Sequence, residues 1–350
     1  MPIPPLYGHE GIQHRLVGAI ASGRLPQALL LEGPPGVGKQ RLALWLAQAL
    51  VCERAGERAG EGCGECQQCK LVLNLSHPDV HWFVPLEPSK KGGDADKQVE
   101  LVEEALGEEM AARRQQPLYE PPAGLASHGI AAVRLLLRRL VLTPALARRK
   151  VFLIGDAERL VPQTGAEAAA NALLKALEEP PADTVFILTT AAPDSLLPTI
   201  LSRVVRVRVA RLADSVVTSF AQHELGLTGQ RELAQRVALA DGRIGRLLAD
   251  GDGQARGTDA AERFLAAVRG GPAHRYGFAL GLQPFQARGG FTEMLDGLLE
   301  RLREQARSGG ETDKVVEAIA RVLEARGLAQ GNVNPQLVSA VLADDLAEPA

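Results

Sequence analysis

Aromatic residues are scarce in this 350-residue chain, at 4% of the sequence. A core with so few rings must be built from leucine, valine, isoleucine and alanine, a composition typical of helices and buried parallel strands. The sequence also lacks an apolar run of about eighteen residues, which excludes a membrane-spanning helix. Its start, MPIPPLYGHE, has no basic segment followed by an apolar one, so we expect no secretory signal and a cytoplasmic location.

A charge excess of either sign is absent too. The 39 lysines and arginines oppose 42 aspartates and glutamates, for a formal net charge of −3. Domains that hold nucleic acid by bulk electrostatics are usually strongly basic, so this balance argues against a free-standing protein of that kind. The 46% hydrophobic fraction excludes a disordered chain, and the length fits two or three domains.

Apolar runs alternate with segments of helical periodicity in the first 210 residues. The run 28–31 precedes a glycine-rich turn and a helix-like segment over 40–51. The run 151–154 precedes a helix-like segment over 167–179 and a further apolar run over 184–189. This alternation predicts βαβ units and an α/β fold whose parallel sheet is flanked by helices. From about residue 211 onward strand patterns are absent, so we expect helices only, divided by glycine-rich turns near residues 250 to 258.

Two neighbouring stretches carry opposite charge. The segment 85–129 holds nine acidic and five basic residues, and we expect a surface insertion containing one amphipathic helix. Its apolar positions recur at near-helical spacing: Val99, Val102, Leu106 and Met110. The segment 131–150 holds six arginines and lysines and no acid, and Arg134 and Arg138 share one face of its predicted helix.

A glycine-rich loop lies between the first apolar run and the first long helix. From residue 33 it reads GPPGVGKQ, which has the GxxxxGK spacing of a phosphate-binding loop. The residues that set this spacing are Gly33, Gly36, Gly38 and Lys39. In such a loop the backbone N–H groups and the lysine face the phosphates of a nucleotide such as ATP. Gln40 departs from the pattern, because a Ser or Thr hydroxyl there ligates Mg²⁺, so we interpret the loop as a phosphate site without proper metal chemistry. An ordinary glycine turn is the alternative.

The second element of a nucleotide site is a hydrophobic strand that ends in a metal-binding acid. The run 151–154 supplies the strand and Asp156 supplies the acid. In ATPases of this type the next residue is commonly a glutamate that orients the attacking water, and here it is Ala157. We expect Glu158, one residue further on, to turn its side chain away from the site. Gln40 and Ala157 together predict a nucleotide fold that has lost hydrolysis.

All four cysteines of the chain lie within eighteen residues of one another. They are Cys52, Cys63, Cys66 and Cys69. Their spacing lets four thiolates converge tetrahedrally on Zn²⁺, and disulfides are the weaker explanation in a cytosolic chain. A closed site of four thiolates has no open position for water, so we expect a structural zinc and no zinc catalysis.

Motifs in the region 171–203 carry a family resemblance. The run NALLKALEEPP begins at Asn171, the apolar run FILTT follows, and LLPTILSR ends at Arg203. Together with the loop and the acidic motif, these runs resemble the bacterial clamp-loader branch of the AAA+ ATPases over about residues 1 to 250. Within that branch, the altered residues 40 and 157 resemble the non-hydrolysing type of subunit.

The resemblance implies an AAA+ fold in three parts. Residues 1–210 are expected to form the α/β nucleotide-fold domain, with a zinc module over 50–75 and the insertion over 85–129. Residues 211–255 are expected to form a small helical lid. Residues 256–350 are expected to form an all-α oligomerisation domain, which in that family builds a collar joining five subunits.

The resemblance also assigns roles to single residues. A Ser-Arg-Cys motif of that family presents an arginine to the ATP held by the neighbouring subunit, and Ser202-Arg203-Val204 keeps the arginine. Arg203 is therefore expected to act as an arginine finger in trans, with a surface arginine that pairs locally as the alternative. Thr190 matches the sensor position. Arg134 matches the helix that lines the DNA in clamp loaders. We interpret it as a contact to the DNA phosphates, with a solvated helix face as the alternative.

These features predict a non-hydrolysing clamp-loader subunit that helps place a sliding clamp on primed DNA. Its expected partners are motor subunits of the gamma/tau type and a delta subunit in a hetero-pentamer. That complex serves a DNA-directed DNA polymerase, a nucleotidyltransferase, whereas this chain is expected to have neither ATPase nor polymerase activity. Two alternatives stay open: an active AAA+ motor subunit of the same loader, and a zinc-finger nucleic-acid adaptor whose α/β fold is only a scaffold.

Overall fold

Five parallel strands form one sheet in the N-terminal part of the chain. The computed structural model describes residues 3–55, 60–87, 94–118, 126–161, 167–248, 251–283, 290–307, 312–329 and 333–347. The strands are β1 (Ala28–Glu32), β2 (Val80–Phe83), β3 (Lys150–Ile154), β4 (Thr184–Thr190) and β5 (Val205–Arg208). Their order is β2-β3-β4-β1-β5, and each neighbouring pair is parallel. The predicted α/β class with a parallel sheet is confirmed.

The chain divides into two compact units. The first contains residues 1–122 and 126–248, and the second contains residues 249–350 with 123–125. The helices of the first unit are α1 (Glu10–Ala21), α2 (Lys39–Val51), α3 (Gln67–Leu73), α4 (Ala95–Gln115), α5 (Ile130–Leu140), α6 (Ala168–Glu178), α7 (Pro198–Leu201), α8 (Asp214–Leu225), α9 (Gln230–Ala240) and α10 (Gly245–Leu248). Those of the second are α11 (Gly251–Arg269), α12 (Pro272–Leu280), α13 (Gly290–Arg307), α14 (Thr312–Ala329) and α15 (Pro335–Asp345).

The elements that follow β5 are all helices in the described residues, as the absence of strand patterns from residue 211 onward predicts. None of the described helices has both the length and the apolar character that crossing a membrane requires.

The core of the first unit is aliphatic with a short aromatic row at its centre. Strands β1, β3 and β4 are buried along almost their whole length because they are near-continuous apolar runs. The rings of Phe83, Phe152 and Phe186 stack across three adjacent strands, with centroids 6.5 and 5.4 Å apart. Leucines, valines and alanines of the flanking helices fill the remainder of this cluster.

Helix α4 lies within the acidic insertion and packs its apolar side against the main core. Val99 and Leu106 are buried, and Val102 and Met110 are partly buried against the same cluster. These are the four positions whose spacing predicts an amphipathic helix. The acidic residues of α4 are left on its outer sides, where Glu100, Glu104 and Glu108 are exposed.

The second unit has its own core, built around Phe264, Leu295, Leu298 and Val322. The structure differs here from the expected break near residues 250 to 258, because α11 runs through residues 251–269. Gly257 serves close packing rather than a turn, since a Cβ there would lie 2.8 Å from the Glu293 carbonyl oxygen of α13. A glycine inside a helix therefore marks a close approach of two backbones at this position.

Candidate functional site

The carboxyl ends of β1, β3 and β4 meet at one edge of the sheet and carry the predicted nucleotide residues. The phosphate loop follows β1, Asp156 follows β3, and Thr190 ends β4. Because β4 lies between β1 and β3, the three segments are neighbours. The Gly33 N–H donates to the Thr190 carbonyl at 3.2 Å, which joins the start of the loop to the end of β4. The structure therefore brings these predicted residues together.

The phosphate loop turns sharply into α2. Gly36 and Gly38 have positive φ angles of 78° and 93°, a backbone region that favours glycine. Lys39 is the first residue of α2, and its buried ammonium donates to the carbonyls of Gly33 and Pro34 at 2.9 and 2.8 Å. Its charge is therefore stabilised by the loop's own backbone.

Gln40 lies in the first turn of α2 and reaches across to the end of β3. Its Nε2 donates to Oδ2 of Asp156 at 3.0 Å. Asp156 has a left-handed backbone, with φ 49°, and its N–H donates to Oγ1 of Thr189 at 3.1 Å. The position expected to supply a metal-binding hydroxyl thus contacts the expected metal-binding acid directly. Thr189 of β4, which no sequence motif singles out, accepts the backbone N–H of that acid.

Glu158 contradicts the expectation that its side chain turns away from the site. Its Oε1 accepts the Ala191 N–H at 3.2 Å, and its Oε2 is buried without a hydrogen-bond partner in the described part of the chain. Burial lowers the pKa of Lys39 to about 8, and the Glu158 charge opposes that shift more strongly than Asp156 does. The left-handed backbone at Asp156 starts a 3₁₀ turn over 157–160, so the alternation of an extended strand no longer sets the direction of residue 158.

Thr190 is fully buried at the end of β4. Its hydroxyl accepts the Ala192 N–H at 3.1 Å, within its own turn. The residue therefore occupies the expected place beside the loop, with its hydroxyl oxygen engaged by the backbone that follows β4.

Two further segments close over the phosphate loop. Nε2 of His9 donates to the Val37 carbonyl at 2.8 Å, and the Gly245 N–H donates to the Gly36 carbonyl at 2.8 Å. Gly245 begins α10 and approaches so closely that a Cβ there would lie 2.7 Å from the Gly36 Cα. Together with the bonds from the lysine, four loop carbonyls accept hydrogen bonds from the protein itself: Gly33, Pro34, Gly36 and Val37.

His128 is hydrogen-bonded to the backbone that follows β3. Its Nε2 donates to the Gly155 carbonyl at 2.6 Å, and its own N–H donates to the Arg159 carbonyl at 3.1 Å. The side chain is buried, and this burial lowers the pKa of His128 to about 4, although the bond to Gly155 opposes the shift. A neutral imidazole is therefore part of the framework that holds residues 155 and 156.

Arg203 lies in the turn between α7 and β5, and its side chain is 28% exposed. One terminal nitrogen donates to the Thr199 carbonyl at 2.9 Å and to the Ser202 hydroxyl at 3.2 Å. The other pairs with Glu178, at the end of α6, at 3.1 Å. The guanidinium is thus held in one orientation by its own chain and remains partly open to solvent.

The arginines of α5 divide into paired and unpaired ones. Arg138 pairs with Asp96 of α4, and Arg139 pairs with Glu103 of α4 at 2.6 Å. Arg134 is exposed, and the described residues place no acid in an ion pair with it. Of the two arginines predicted to share a face of this helix, Arg138 has an acidic partner in the described residues and Arg134 has none.

The four cysteines form one buried cluster between α2 and α3, in which all four sulfur atoms lie within 4.8 Å of one another. The two closest sulfur pairs given by the structure are Cys52 with Cys66 at 4.0 Å and Cys63 with Cys69 at 3.9 Å. The Cys66 N–H donates to the Cys63 sulfur at 3.3 Å and lowers the pKa of that thiol to about 6. Burial raises the pKa of Cys69. This donor set can bind one metal ion.

A parallel sheet of this order, with a phosphate loop after β1, an acid after β3 and helices after β5, defines an AAA+ nucleotide-fold protein. Residues 8–213 match the protein family described as "DNA polymerase III, delta subunit". This match takes in more than half of the chain.

Relatives support the same assignment. DNA polymerase III subunit delta' of Yersinia pestis is 36% identical over 190 residues, which are 54% of this chain and 43% of that protein. The delta' subunit of Pseudomonas aeruginosa is 37% identical over 179 residues, 51% of this chain and 42% of the relative. The gamma/tau subunit of Mycobacterium tuberculosis is 32% identical over 197 residues, 56% and 26% of the two chains. The matched stretch spans less than half the length of these curated relatives.

Among solved structures, a gamma subunit-related protein of DNA polymerase III from Thermotoga maritima aligns with 96% of this chain and 98% of its own, at 17% identity and a TM-score of 0.40.

The chain belongs to the DNA polymerase III delta-prime family, and the resemblance of its motifs to the bacterial clamp-loader branch is confirmed.

The neutral His128 predicts a loss of stability in acid. Its pKa is about 4 in the folded chain and about 6.5 when unfolded, so the unfolded state binds the proton more tightly. The stabilisation is fully present above pH 6.5 and is lost as the pH falls from 6.5 to 4, up to about 3 kcal/mol. We expect His128→Asn to lose less unfolding free energy across this window than the wild type in denaturant titrations.

His14, which is exposed on α1, supplies the matched control. His14→Asn is expected to keep the wild-type dependence on pH. An identical pH dependence of the wild type and His128→Asn would contradict the assignment of this loss to His128.

Proposed function

We propose that this chain is a non-hydrolysing subunit of a DNA polymerase III clamp loader. Family membership supports the complex, and the contact of Gln40 with Asp156 supports the absence of hydrolysis. In working phosphate loops a hydroxyl at position 40 and an acid after the neighbouring strand hold Mg²⁺, which neutralises the charge that develops on the phosphates. Here an amide N–H meets the acid directly at 3.0 Å.

Ala157 supports the same proposal, because its position is the one expected to orient the attacking water. Its methyl group is fully buried and offers no base to orient an attacking water. Glu158 is near Lys39, yet its Oε1 accepts a backbone N–H at the end of β4. That carboxylate serves the fold of the site in this arrangement.

An active motor subunit is the second candidate, because gamma/tau subunits are among the relatives at 32% identity. The residues that would have to hold the metal and activate the water argue against it. The zinc-finger adaptor is disfavoured by charge, since residues 50–75 contain four acids and only three lysines and arginines.

Arg203 is the residue that this subunit supplies to a neighbour. Its guanidinium is preoriented by bonds to Thr199 and Ser202 and retains partial exposure. The pair with Glu178 is partly solvated, and such pairs contribute only about 0.2–1 kcal/mol, so a triphosphate of higher charge can replace the carboxylate. A planar and permanently charged group held at a rigid junction suits stabilisation of a γ-phosphate in trans.

The proposed assembly contains motor subunits of the gamma/tau type, a delta subunit and this chain in a hetero-pentamer. The whole complex would act on a sliding clamp and primed DNA. Within this chain, Arg134 is the residue of α5 proposed to approach the DNA phosphates, because Arg138 and Arg139 are paired with acids of α4.

The cysteine cluster is proposed to hold a structural Zn²⁺. A tetrahedral ion with zinc–sulfur bonds of about 2.3 Å separates its sulfurs by about 3.8 Å. The observed sulfur separations of 3.9 and 4.0 Å fit this arrangement, and backbone N–H groups already donate to three of the sulfurs. The four thiolates would hold the ion and tie residues 60–66 to α2 and α3.

Reconstitution with motor and delta subunits tests the role of Arg203. We expect Arg203→Ala to leave the complex assembled and to lower ATP turnover at the adjoining site by about 10³-fold or more, the range found for arginine fingers. Arg203→Lys is expected to fail as well, because an ammonium cannot reproduce the planar fork. ATPase rates and gel filtration of the same preparations give both readouts.

Arg206 is a matched control, since it is also exposed and paired, with Glu32 at 2.7 Å. Arg206→Ala is expected to retain ATPase activity. Equal turnover by the wild-type and Arg203→Ala complexes would refute the finger and favour the local pair with Glu178.

Metal analysis tests the zinc proposal. Purified full chain is expected to contain one zinc per chain, and Cys69→Ser is expected to lose the metal and to melt at a lower temperature, because the cluster lies against α2 of the main core. Elemental analysis and thermal unfolding provide the measurements. A wild-type content far below one metal per chain would refute the assignment.

A further inference from the structure

Gly155, the residue after β3, lies close to the side-chain amide of Gln40. A Cβ placed on Gly155 would lie 3.1 Å from three atoms of the Gln40 amide: Cδ, Nε2 and Oε1. A side chain at position 155 would therefore press against the amide of Gln40.

The backbone beside the Gln40 amide is held by hydrogen bonds. The Gly155 N–H donates to the Phe83 carbonyl at 2.9 Å, and the Gly155 carbonyl accepts from His128 at 2.6 Å. The amide itself donates to Oδ2 of Asp156 at 3.0 Å. Gly155 thus leaves the space that the glutamine fills, and Asp156 supplies the acceptor that the amide needs.

The residues present do not fit a magnesium ion. Mg²⁺ requires oxygen ligands in near-octahedral geometry at about 2.0–2.1 Å. Position 40 lacks a hydroxyl, and Oδ2 of Asp156 already accepts an amide N–H. The loop carbonyls of Gly36 and Val37 accept from Gly245 and His9, so the protein itself already engages them.

We propose that the Gln40 amide fills the cation position of this phosphate loop, so that the site takes no divalent metal. The proposal rests on the proposed non-hydrolysing role of the same site and gives that role a physical cause. A hydrogen bond donated by an uncharged amide replaces the metal as the link between α2 and the end of β3. Any phosphate ligand of the loop is then held by Lys39 and backbone N–H groups without a metal ion.

A double-mutant cycle on the full chain tests the packing. Gly155→Ala puts a methyl group 3.1 Å from the amide and displaces it from Asp156, so the wild-type background is expected to lose thermal stability. In a Gln40→Ala background the same substitution meets no amide, and its cost is expected to fall by at least half. Equal costs in the two backgrounds would overturn the proposal.

Gly18 is the matched control, because a Cβ there meets no atom within 4 Å. Gly18→Ala is expected to change the melting temperature equally with Gln40 and with Ala at position 40. The change in melting temperature caused by Gly18→Ala could instead depend on residue 40 as strongly as that caused by Gly155→Ala. The cycle would then not be specific to the contact between residues 155 and 40, and the proposal would be overturned.

Cation binding gives a direct readout. Electron paramagnetic resonance of Mn²⁺, with ADP present, is expected to show the same amount of bound ion for the wild type and Asp156→Asn. ADP affinity is expected to be equal with and without Mg²⁺. One Mn²⁺ per wild-type chain, lost in Asp156→Asn, would overturn the proposal. The Arg203-dependent ATPase of the reconstituted complex is a separate readout, so failure of the clamp-loader role and failure of this cation claim are distinguishable.

Discussion

The hydrogen bond between Gln40 and Asp156 determines how the candidate site is organised. It joins the first turn of α2 to the end of β3, and the Asp156 N–H continues the link to Thr189 on β4. A parallel sheet brings these segments to one edge, and the half-buried amide of Gln40 then joins them. In the proposed arrangement this internal polar contact takes the place of the expected cation, and Lys39 donates to the loop carbonyls of Gly33 and Pro34.

Charge is distributed along the chain in a way that the net value of −3 conceals. The acidic helix α4 packs beside the basic helix α5, and Asp96 and Glu103 pair with Arg138 and Arg139. Lys150, the last of the six basic residues in this stretch, is buried and donates to the Leu140 carbonyl at the end of α5. Arg134, Arg148 and Arg149 are the residues of this stretch that are exposed and lie outside these described pairs, and so small a set of possible phosphate contacts suits the proposed sharing of DNA among subunits.

The strands and the phosphate loop were predictable because their signals are local. Buried strands β1, β3 and β4 each contain an apolar run of about four residues, and the loop has a fixed glycine spacing. Strand β2 has only four residues at the edge of the sheet and gives no comparable periodicity. Gly257 resembles a helix break in sequence, yet it lies where two helices approach closely.

The candidate site was less predictable, since its contacts join distant segments. The direction of Glu158 depends on the left-handed backbone of Asp156, and the role of Gly155 depends on a side chain 115 positions earlier. His128 shows no motif, because its function is to support a carbonyl. Register and turn geometry determine these three features, and neither is encoded in residue spacing alone.

ATP turnover by the isolated full chain tests the central claim most directly, with Lys39→Ala as the reference. We expect the wild type to hydrolyse ATP no faster than Lys39→Ala, because residues 40 and 157 provide neither the metal ligand nor the water-orienting carboxylate. Turnover by the wild type that Lys39→Ala abolishes would contradict it and would identify an active motor subunit.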